Sequence, residues 1–176
     1  GREPITRMPF MPQTADIIRL NENATLCELL AERVSRSPDA VAYRQYEEKA
    51  GAWVSWTWRR FADETSRWQQ ALAQEGLQPG DRVAVMLRNS REWAAFDMAA
   101  LGLGLVVVPL FVNDRADNVG LILEDCGGRL LVVGGDNQWQ TLAPIEETLR
   151  KLRRVLSVGP VSPLPGGLQP SAVNGW

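Results

Sequence analysis

The chain has 176 residues, of which 45% are hydrophobic and 23% charged, and its formal net charge is -2. These values are ordinary for one globular domain with a substantial core, and they favour neither a disordered chain nor a membrane protein. Because acidic and basic residues are interspersed and no strongly basic balance exists, we expect no nucleic-acid partner.

Histidine is missing from the chain, and lysine occurs only at Lys49 and Lys151. This excludes Ser-His-Asp and Cys-His catalysis within these residues and removes the commonest metal ligand. The two cysteines, Cys27 and Cys126, lack metal-ligand spacing and are expected to be buried free thiols in a reducing compartment. We therefore predict no metal site in the chain, and any chemistry here would depend on carboxylates, lysine or bound ligands.

The first 24 residues are expected to form an irregular lead-in, because Pro4, Pro9 and Pro12 disfavour a helix. They contain no apolar segment typical of a secretory signal. The longest apolar run, around residues 101–112, is interrupted by glycine and proline and is too short to span a bilayer. The expected location is the cytoplasm, with peripheral association at a membrane left open.

The first helix is predicted from the capping-box sequence TLCE at residues 25–28, and Ser37-Pro38 ends it. Residues 41–46 (VAYRQY) and 53–58 (WVSWTW) are rich in β-formers and predict an antiparallel hairpin. Its tryptophans indicate a sheet packed against a helix, with an aromatic platform for a base or sugar as the alternative. These tryptophans are Trp53, Trp56 and Trp58.

The next helix is predicted after Thr57 and ends at Gly76. Its apolar face consists of Phe61, Thr65, Trp68 and Leu72. Residues 80–112 then contain an apolar run (83–87), a polar break at 89–90, an amphipathic segment and a second apolar run (105–112). Apolar runs without alternation are typical of strands covered on both faces, so this stretch predicts a parallel βαβ unit.

The last third of the chain continues the alternation of strands and helices. Asn113-Asp114 is predicted to cap a helix over 119–126, followed by a strand at 130–133, a turn at 134–136, a helix over 142–152 and a strand at 155–158. Residues 159–176 are rich in proline and glycine and predict a loop or linker. The basic cluster is expected to be a solvated helix end, not a phosphate site: Arg150, Lys151, Arg153 and Arg154.

This order predicts an α/β fold over residues 25–158: a doubly wound, mainly parallel sheet with flanking helices, plus the N-terminal antiparallel hairpin. Ligands of such sheets bind beyond the carboxyl ends of strands, which makes Asn89, Phe111 and Asn113 candidate substrate-binding residues. Helix capping is the favoured role for Asn89-Ser90 and for Asn113-Asp114, with ligand binding as the alternative. A dinucleotide site is not predicted, because Gly102 and Gly104 close a helix and open a strand.

Three stretches resemble the AMP-dependent synthetase and ligase family of adenylate-forming enzymes, in particular the acyl-CoA synthetases. VSWTWRRF (54–61) is similar to the first conserved core of that family, and GLQPGDRVAVMLRNSREWAAFDMAALGLGLVVVPLF (76–111) resembles the second. VGLILEDCGGRLLVV (119–133) is similar to a third family segment, although Cys126 replaces the usual serine. The Trp-rich hairpin and the E-W helix start favour long-chain fatty acyl-CoA ligases.

The resemblance implies the first subdomain of the adenylate-forming enzyme fold. It implies a whole enzyme that uses ATP, Mg²⁺ and coenzyme A to convert a carboxylic acid into an acyl-adenylate and then into an acyl-CoA. The family's phosphate loop, ribose-binding aspartate and mobile-domain lysine are absent from this sequence. The resemblance therefore implies a chain without a catalytic residue, which binds no cofactor and is inactive alone, with the remainder of its own chain as its partner.

Two alternatives remain open from the sequence. One is a non-catalytic, stand-alone α/β binding or interaction module that has kept the fold. The other is an acyl-adenylating enzyme that loads a carrier protein instead of coenzyme A. The sequence does not predict the oligomeric state.

Overall fold

The computed structural model describes residues 17–19, 21 and 24–173. Almost all of the predicted lead-in over residues 1–24 lies outside the described residues. The described part of the chain alternates helices and strands, and its elements follow in chain order: α1 (Leu26–Arg36), β1 (Val41–Glu47), β2 (Ala52–Thr57), α2 (Trp58–Gln74), β3 (Arg82–Met86), α3 (Arg91–Gly102), β4 (Val106–Pro109), α4 (Ala116–Asp125), β5 (Gly128–Val133), α5 (Asp136–Thr141), a 3₁₀ turn (Ala143–Ile145), α6 (Glu146–Arg150), β6 (Arg154–Ser157) and β7 (Ser171–Ala172).

The last five strands form one parallel sheet in the order β4-β3-β5-β6-β7. The chain leaves β3 toward one edge through α3 and returns past β3 to β5 through α4. Because such crossovers are right-handed, α3 and α4 pack on opposite faces of the sheet. The predicted doubly wound parallel sheet is thereby confirmed.

Both faces of the sheet are covered, which explains the unbroken apolar runs in the sequence. Along β3, Val83 and Val85 face one core with α2 and α3, whereas Ala84 and Met86 face a second core with α4 and α5. Successive side chains of a strand point to opposite faces, so consecutive residues of β3 enter the two cores in turn. All four of these side chains are fully buried.

Short polar side chains begin three of the helices where the sequence predicts them. The capping box of α1 is present, because Thr25 Oγ1 accepts the Glu28 N–H (3.2 Å) and the Glu28 carboxylate accepts the Thr25 N–H (2.7 Å). Thr57 Oγ1 accepts the Arg60 N–H, and Ser90 Oγ accepts the Trp93 N–H, both at 3.2 Å. The predicted caps of α1, α2 and α3 are therefore confirmed.

The antiparallel hairpin is also confirmed, although the pairing of β1 with β2 shifts its register between Val41 and Tyr43. Trp56 is 6% exposed and packs in the core with α2 and α3, and Trp58 begins α2 and contacts Phe61. Packing is the wrong interpretation for Trp53, which is 69% exposed and meets Tyr46 edge to face across the hairpin. The outer face of the two-stranded hairpin has no covering layer in the described chain, which leaves this ring in solvent.

The second apolar run and the helix predicted over 142–152 differ in the structure from their predicted course. The second apolar run leaves the sheet at Pro109, because a turn in which the Asp114 N–H donates to Phe111 O (3.1 Å) redirects the chain. The single helix predicted over 142–152 is wrong, since the chain forms α5, a 3₁₀ turn and α6 instead. Pro144 divides it, because proline lacks the N–H that an α-helix needs and its ring collides with the preceding turn.

The predicted cap at Asn113-Asp114 is wrong as well. Arg115 occupies the N-cap position of α4 without a side-chain hydrogen bond. The Asp114 carboxylate accepts the Arg115 N–H (2.8 Å) and the Asn118 side-chain amide (2.7 Å), so it orders the loop before the helix.

The remaining corrections concern the end of the described chain. The predicted loop or linker over 159–176 contains β7, which adds an edge strand to the sheet, and Leu164 within it is 2% exposed. The basic cluster is not a solvated helix end as a whole. Only Arg150 lies in the last turn of α6, whereas Arg154 lies in β6 and forms an ion pair with Glu75.

Candidate functional site

A cleft of about 820 Å³ opens at the carboxyl ends of the central strands. Its walls come from the loops after β3, β4 and β5 together with Val158 after β6. The chain leaves β3 toward one edge of the sheet and β5 toward the other, so the cleft lies at the topological switch point. This is the position at which open α/β sheets bind ligands.

Among the described residues, the charged side chains that line the cleft are three carboxylates and one guanidinium: Glu92, Asp114, Asp136 and Arg88. Each carboxylate already accepts hydrogen bonds from the chain itself. Glu92 accepts from the Arg91 guanidinium (3.1 Å) and the Gln45 amide (3.3 Å), and Asp114 from the loop before α4. The cleft wall therefore carries more negative than positive charge, and its acids serve to order the loops.

Asp136 is a further cleft carboxylate that accepts hydrogen bonds from the chain itself. Its Oδ1 accepts the Ser162 backbone N–H (2.7 Å) and the Gln140 side-chain amide (3.3 Å). The Ser162 N–H, followed by the Gln140 amide, holds the pKa of the Asp136 carboxyl below its ordinary value, because both donors stabilise the ionised form. Asp136 is consequently ionised at neutral pH and directed at a backbone amide.

These residues do not fit the ATP, Mg²⁺ or coenzyme A that the family resemblance implies. A triphosphate would face three carboxylates and a single guanidinium, and the Gly134 N–H that could bind a phosphate already donates to Gln138 Oε1 (2.7 Å). Within residues 17–19, 21 and 24–173, no three acidic or thiol side chains converge on a position for a metal ion. We therefore assign none of these groups to the cleft.

The three candidate residues lie where the sequence places them, at the carboxyl ends of β3 and β4. Asn113 lines the cleft. Asn89 is exposed between the lining residues Arg88 and Ser90, and Phe111 is 84% exposed next to the lining residue Val112. The structure brings all three to one edge of the sheet, and their role in binding a substrate stays a prediction.

Gln138 is a cleft residue that the sequence did not single out. Its Oε1 accepts the Gly134 N–H, and its amide donates to Val112 O (3.3 Å), so it joins the loops after β4 and β5. Residues 134–136 were predicted as a turn before a later helix, whereas α5 begins at Asp136. The available signal was the acidic residue directly after two glycines, which suits the first turn of a helix.

The hairpin braces one wall of the cleft through Arg91. The Arg91 side chain is 10% exposed, forms ion pairs with Glu47 of β1 and with Glu92, and lies 4.1 Å from the centre of the Trp56 ring. The Arg91 backbone N–H donates to Gln45 Oε1 (3.0 Å). The position of Glu92 in the cleft wall thus depends on contacts that α3 makes with both strands of the hairpin.

None of the described helices is both long enough and apolar enough to span a membrane.

The chain is similar to proteins of one enzyme family. The family model described as AMP-binding enzyme matches residues 30–171. Long-chain-fatty-acid–CoA ligase FadD15 of Mycobacterium tuberculosis is 27% identical over 144 residues, which are 82% of this chain and 24% of that ligase. The chain thus spans about a quarter of the length of this relative.

Two further matches differ in what they cover. Uncharacterized protein Rv1549 of Mycobacterium tuberculosis is 25% identical over 130 residues, which are 74% of this chain and 69% of that protein. The crystal structure of the anthranilate CoA ligase AuaEII in complex with anthranoyl-AMP superposes with a TM-score of 0.66 at 20% identity. The superposition covers 75% of this chain and 24% of the AuaEII chain, and it shows that the two share a fold.

Proposed function

Since the chain belongs to the AMP-binding enzyme family, we propose that it is the first subdomain of an ATP-dependent acid–thiol ligase. In the first step a carboxylate oxygen attacks the α-phosphorus of ATP, and pyrophosphate leaves. In the second step the thiol of coenzyme A attacks the acyl carbonyl, and AMP leaves. The match over residues 30–171 is the observation that carries this proposal.

The proposed acid is a long-chain fatty acid. This choice rests on the relative FadD15, whose name gives that substrate class, and on the Trp-rich hairpin noted in the sequence. ATP, Mg²⁺ and coenzyme A would be held by the remainder of the protein, because the cleft of this chain has carboxylates where phosphates would need donors. The described residues would then hold the loops of the cleft against the rest of the enzyme, and Asn89, Phe111 and Asn113 are their candidate contacts with the acid.

The test is an assay of the whole gene product that contains these residues. The protein is supplied with ATP, Mg²⁺, coenzyme A and fatty acids of short, medium and long chain, and AMP and acyl-CoA are measured. We expect both products, with the highest kcat/KM for long-chain acids. Formation of AMP without acyl-CoA would refute coenzyme A as the acceptor, and a lack of both products with every acid would refute the ligase.

A stand-alone module is the second candidate, and one comparison favours it. Rv1549 is matched over 69% of its own length, so a protein built mostly from this region exists among the relatives. The length of the reading frame distinguishes the two candidates. A phosphate-loop sequence downstream of Trp176 supports the ligase, whereas a stop codon directly after it supports the module.

The proposed location is the cytoplasm, because Cys27 and Cys126 are free thiols. Cell fractionation tests this. Recovery in the soluble fraction would support a cytoplasmic location. Recovery in a membrane fraction, from which high salt releases the protein, would support peripheral association instead.

A further inference from the structure

The segment between β6 and β7 crosses one end of the second core, and we call residues 159–170 the strap. The strap contains no titratable side chain. Leu164 and Pro170 within it are buried, and Val161 and Leu168 are partly buried against the second core, so most of the strap lies at the surface. Its remaining attachment comes from hydrogen bonds to side chains outside it and to the Gly134 carbonyl.

Glu146 forms the main attachment. Its carboxylate accepts the backbone N–H groups of Gly166 and Leu168, each at 2.8 Å, and the Arg150 guanidinium at 2.6 Å. Arg150 also donates to Gly166 O. A Cβ at residue 166 would lie 2.6 Å from both Glu146 oxygens, so a side chain there would displace the carboxylate from this position.

A second attachment joins the other end of the strap to the cleft. Asp136, which lines the cleft, accepts the Ser162 N–H, and the buried Trp139 indole donates to Ser162 O (3.0 Å). The Gly159 N–H donates to Gly134 O (2.8 Å) in the cleft wall. The strap therefore supplies one of the two hydrogen bonds that Asp136 Oδ1 accepts, and the Gln140 amide supplies the other.

We propose that the strap opens as one unit, separately from the parallel sheet, that Glu146 holds it closed, and that opening removes the Ser162 N–H from the Asp136 carboxylate. Segments with few buried apolar contacts open at lower free energy than the core strands that they cover. Opening thus takes away one of the two donors of this carboxylate at the switch point. Strap opening is a property of this chain, whatever reaction the whole protein catalyses.

Hydrogen exchange measured by mass spectrometry at neutral pH tests the strap in wild type, Glu146→Gln and Glu147→Gln. Glu147 is the matched control, because it is the next residue in α6 and its side chain is 93% exposed. In Glu146→Gln we expect the amides of Ser162, Gly166 and Leu168 to exchange about tenfold faster or more, since charge-assisted hydrogen bonds are lost. Amides of β3 and β5 keep wild-type rates, and Glu147→Gln changes nothing.

Ser162 provides the decisive amide, because it bonds to Asp136 and not to Glu146. Faster exchange at Gly166 and Leu168 alone would contradict opening as a unit. An equal increase in the strap and in β5 would show that Glu146 stabilises the whole domain and would also overturn the proposal. If Glu146→Gln does not fold, Asp136→Asn is used instead, and it must accelerate exchange at Gly166 and Leu168.

Discussion

Glu75 shows how a single charged residue can be buried between elements of this fold. It follows α2, its side chain is 6% exposed, and it forms ion pairs with Arg154 of β6 and with Arg153, whose Nε lies 3.6 Å away. Removing one member of a buried ion pair leaves the other charges without compensation. We expect Glu75→Gln to lower the free energy of unfolding by about 1–3 kcal/mol in urea titrations.

Glu64→Gln is the control for this substitution. Glu64 lies on α2 and pairs with Arg67, which is largely exposed to solvent. An exposed pair contributes little, so we expect a change of less than about 0.5 kcal/mol. Equal effects of the two substitutions would show that the burial of Glu75 does not determine its contribution.

The stability of the closed strap is expected to depend on pH through two carboxylates, Glu146 and Asp136. Burial alone would raise the pKa of the Glu146 carboxyl, but the amides of Leu168 and Gly166 and the Arg150 guanidinium together hold this pKa below its ordinary value. The pKa of Asp136 is lowered as well, chiefly by the Ser162 N–H. Both carboxylates thus stabilise the closed strap above their ordinary pKa values, and this contribution is lost as the pH falls through the lowered values.

We therefore expect the protection of strap amides, corrected for intrinsic exchange, to be constant near neutral pH and to decrease in acid. The strap itself has no titratable side chain, so we attribute the change to Glu146 and Asp136. Hydrogen exchange as a function of pH measures it. An unchanged acid dependence in the double variant Glu146→Gln/Asp136→Asn would assign the effect to other groups.

At the scale of elements, the contact between α2 and α3 determines how the first core packs. Trp68 and Phe96 meet edge to face with ring centroids 5.3 Å apart, and Phe96 is fully buried. We expect Phe96→Ala to lower the free energy of unfolding by about 3–5 kcal/mol, because it removes apolar burial and leaves a cavity. Thermal and urea unfolding measure this.

Phe111→Ala is the matched control, since Phe111 is 84% exposed in the loop after β4. Its removal is expected to change the stability by less than about 0.5 kcal/mol. A large loss of stability with Phe111→Ala would contradict its exposed position. In the whole enzyme the same substitution tests the prediction that Phe111 contacts the substrate, through a change in KM for the acid.

At the scale of the whole molecule, the elements with strong local signals could be predicted. The runs 83–87 and 130–133 are apolar without interruption because both faces of the sheet are covered, and Thr25, Thr57 and Ser90 begin helices through local hydrogen bonds. The cap hydrogen bonds join residues three positions apart, and an unbroken apolar run is visible in the sequence itself. Both features can therefore be predicted without knowing the rest of the fold.

The features that the sequence did not predict depend on distant residues. β7 exists because Ser171-Ala172 meets the open edge of β6, and the burial of Leu164 depends on the strap reaching α5 and α6. The cleft likewise combines loops that are far apart in the chain, so Gln138 and Asp136 gain their roles only in the folded structure. Asn113 was within reach of the sequence because the carboxyl ends of parallel strands share one edge.

The central claim is that this chain supplies structure and that the reacting groups of the proposed ligase lie outside it. Exchange of labelled pyrophosphate into ATP tests the claim most directly, with the purified 176-residue chain, Mg²⁺ and a long-chain fatty acid, and with a complete ligase such as FadD15 as the positive control. We expect the chain alone, folded by circular dichroism, to give no exchange above the protein-free background. Exchange by the chain alone at a rate that depends on the fatty acid would contradict the account.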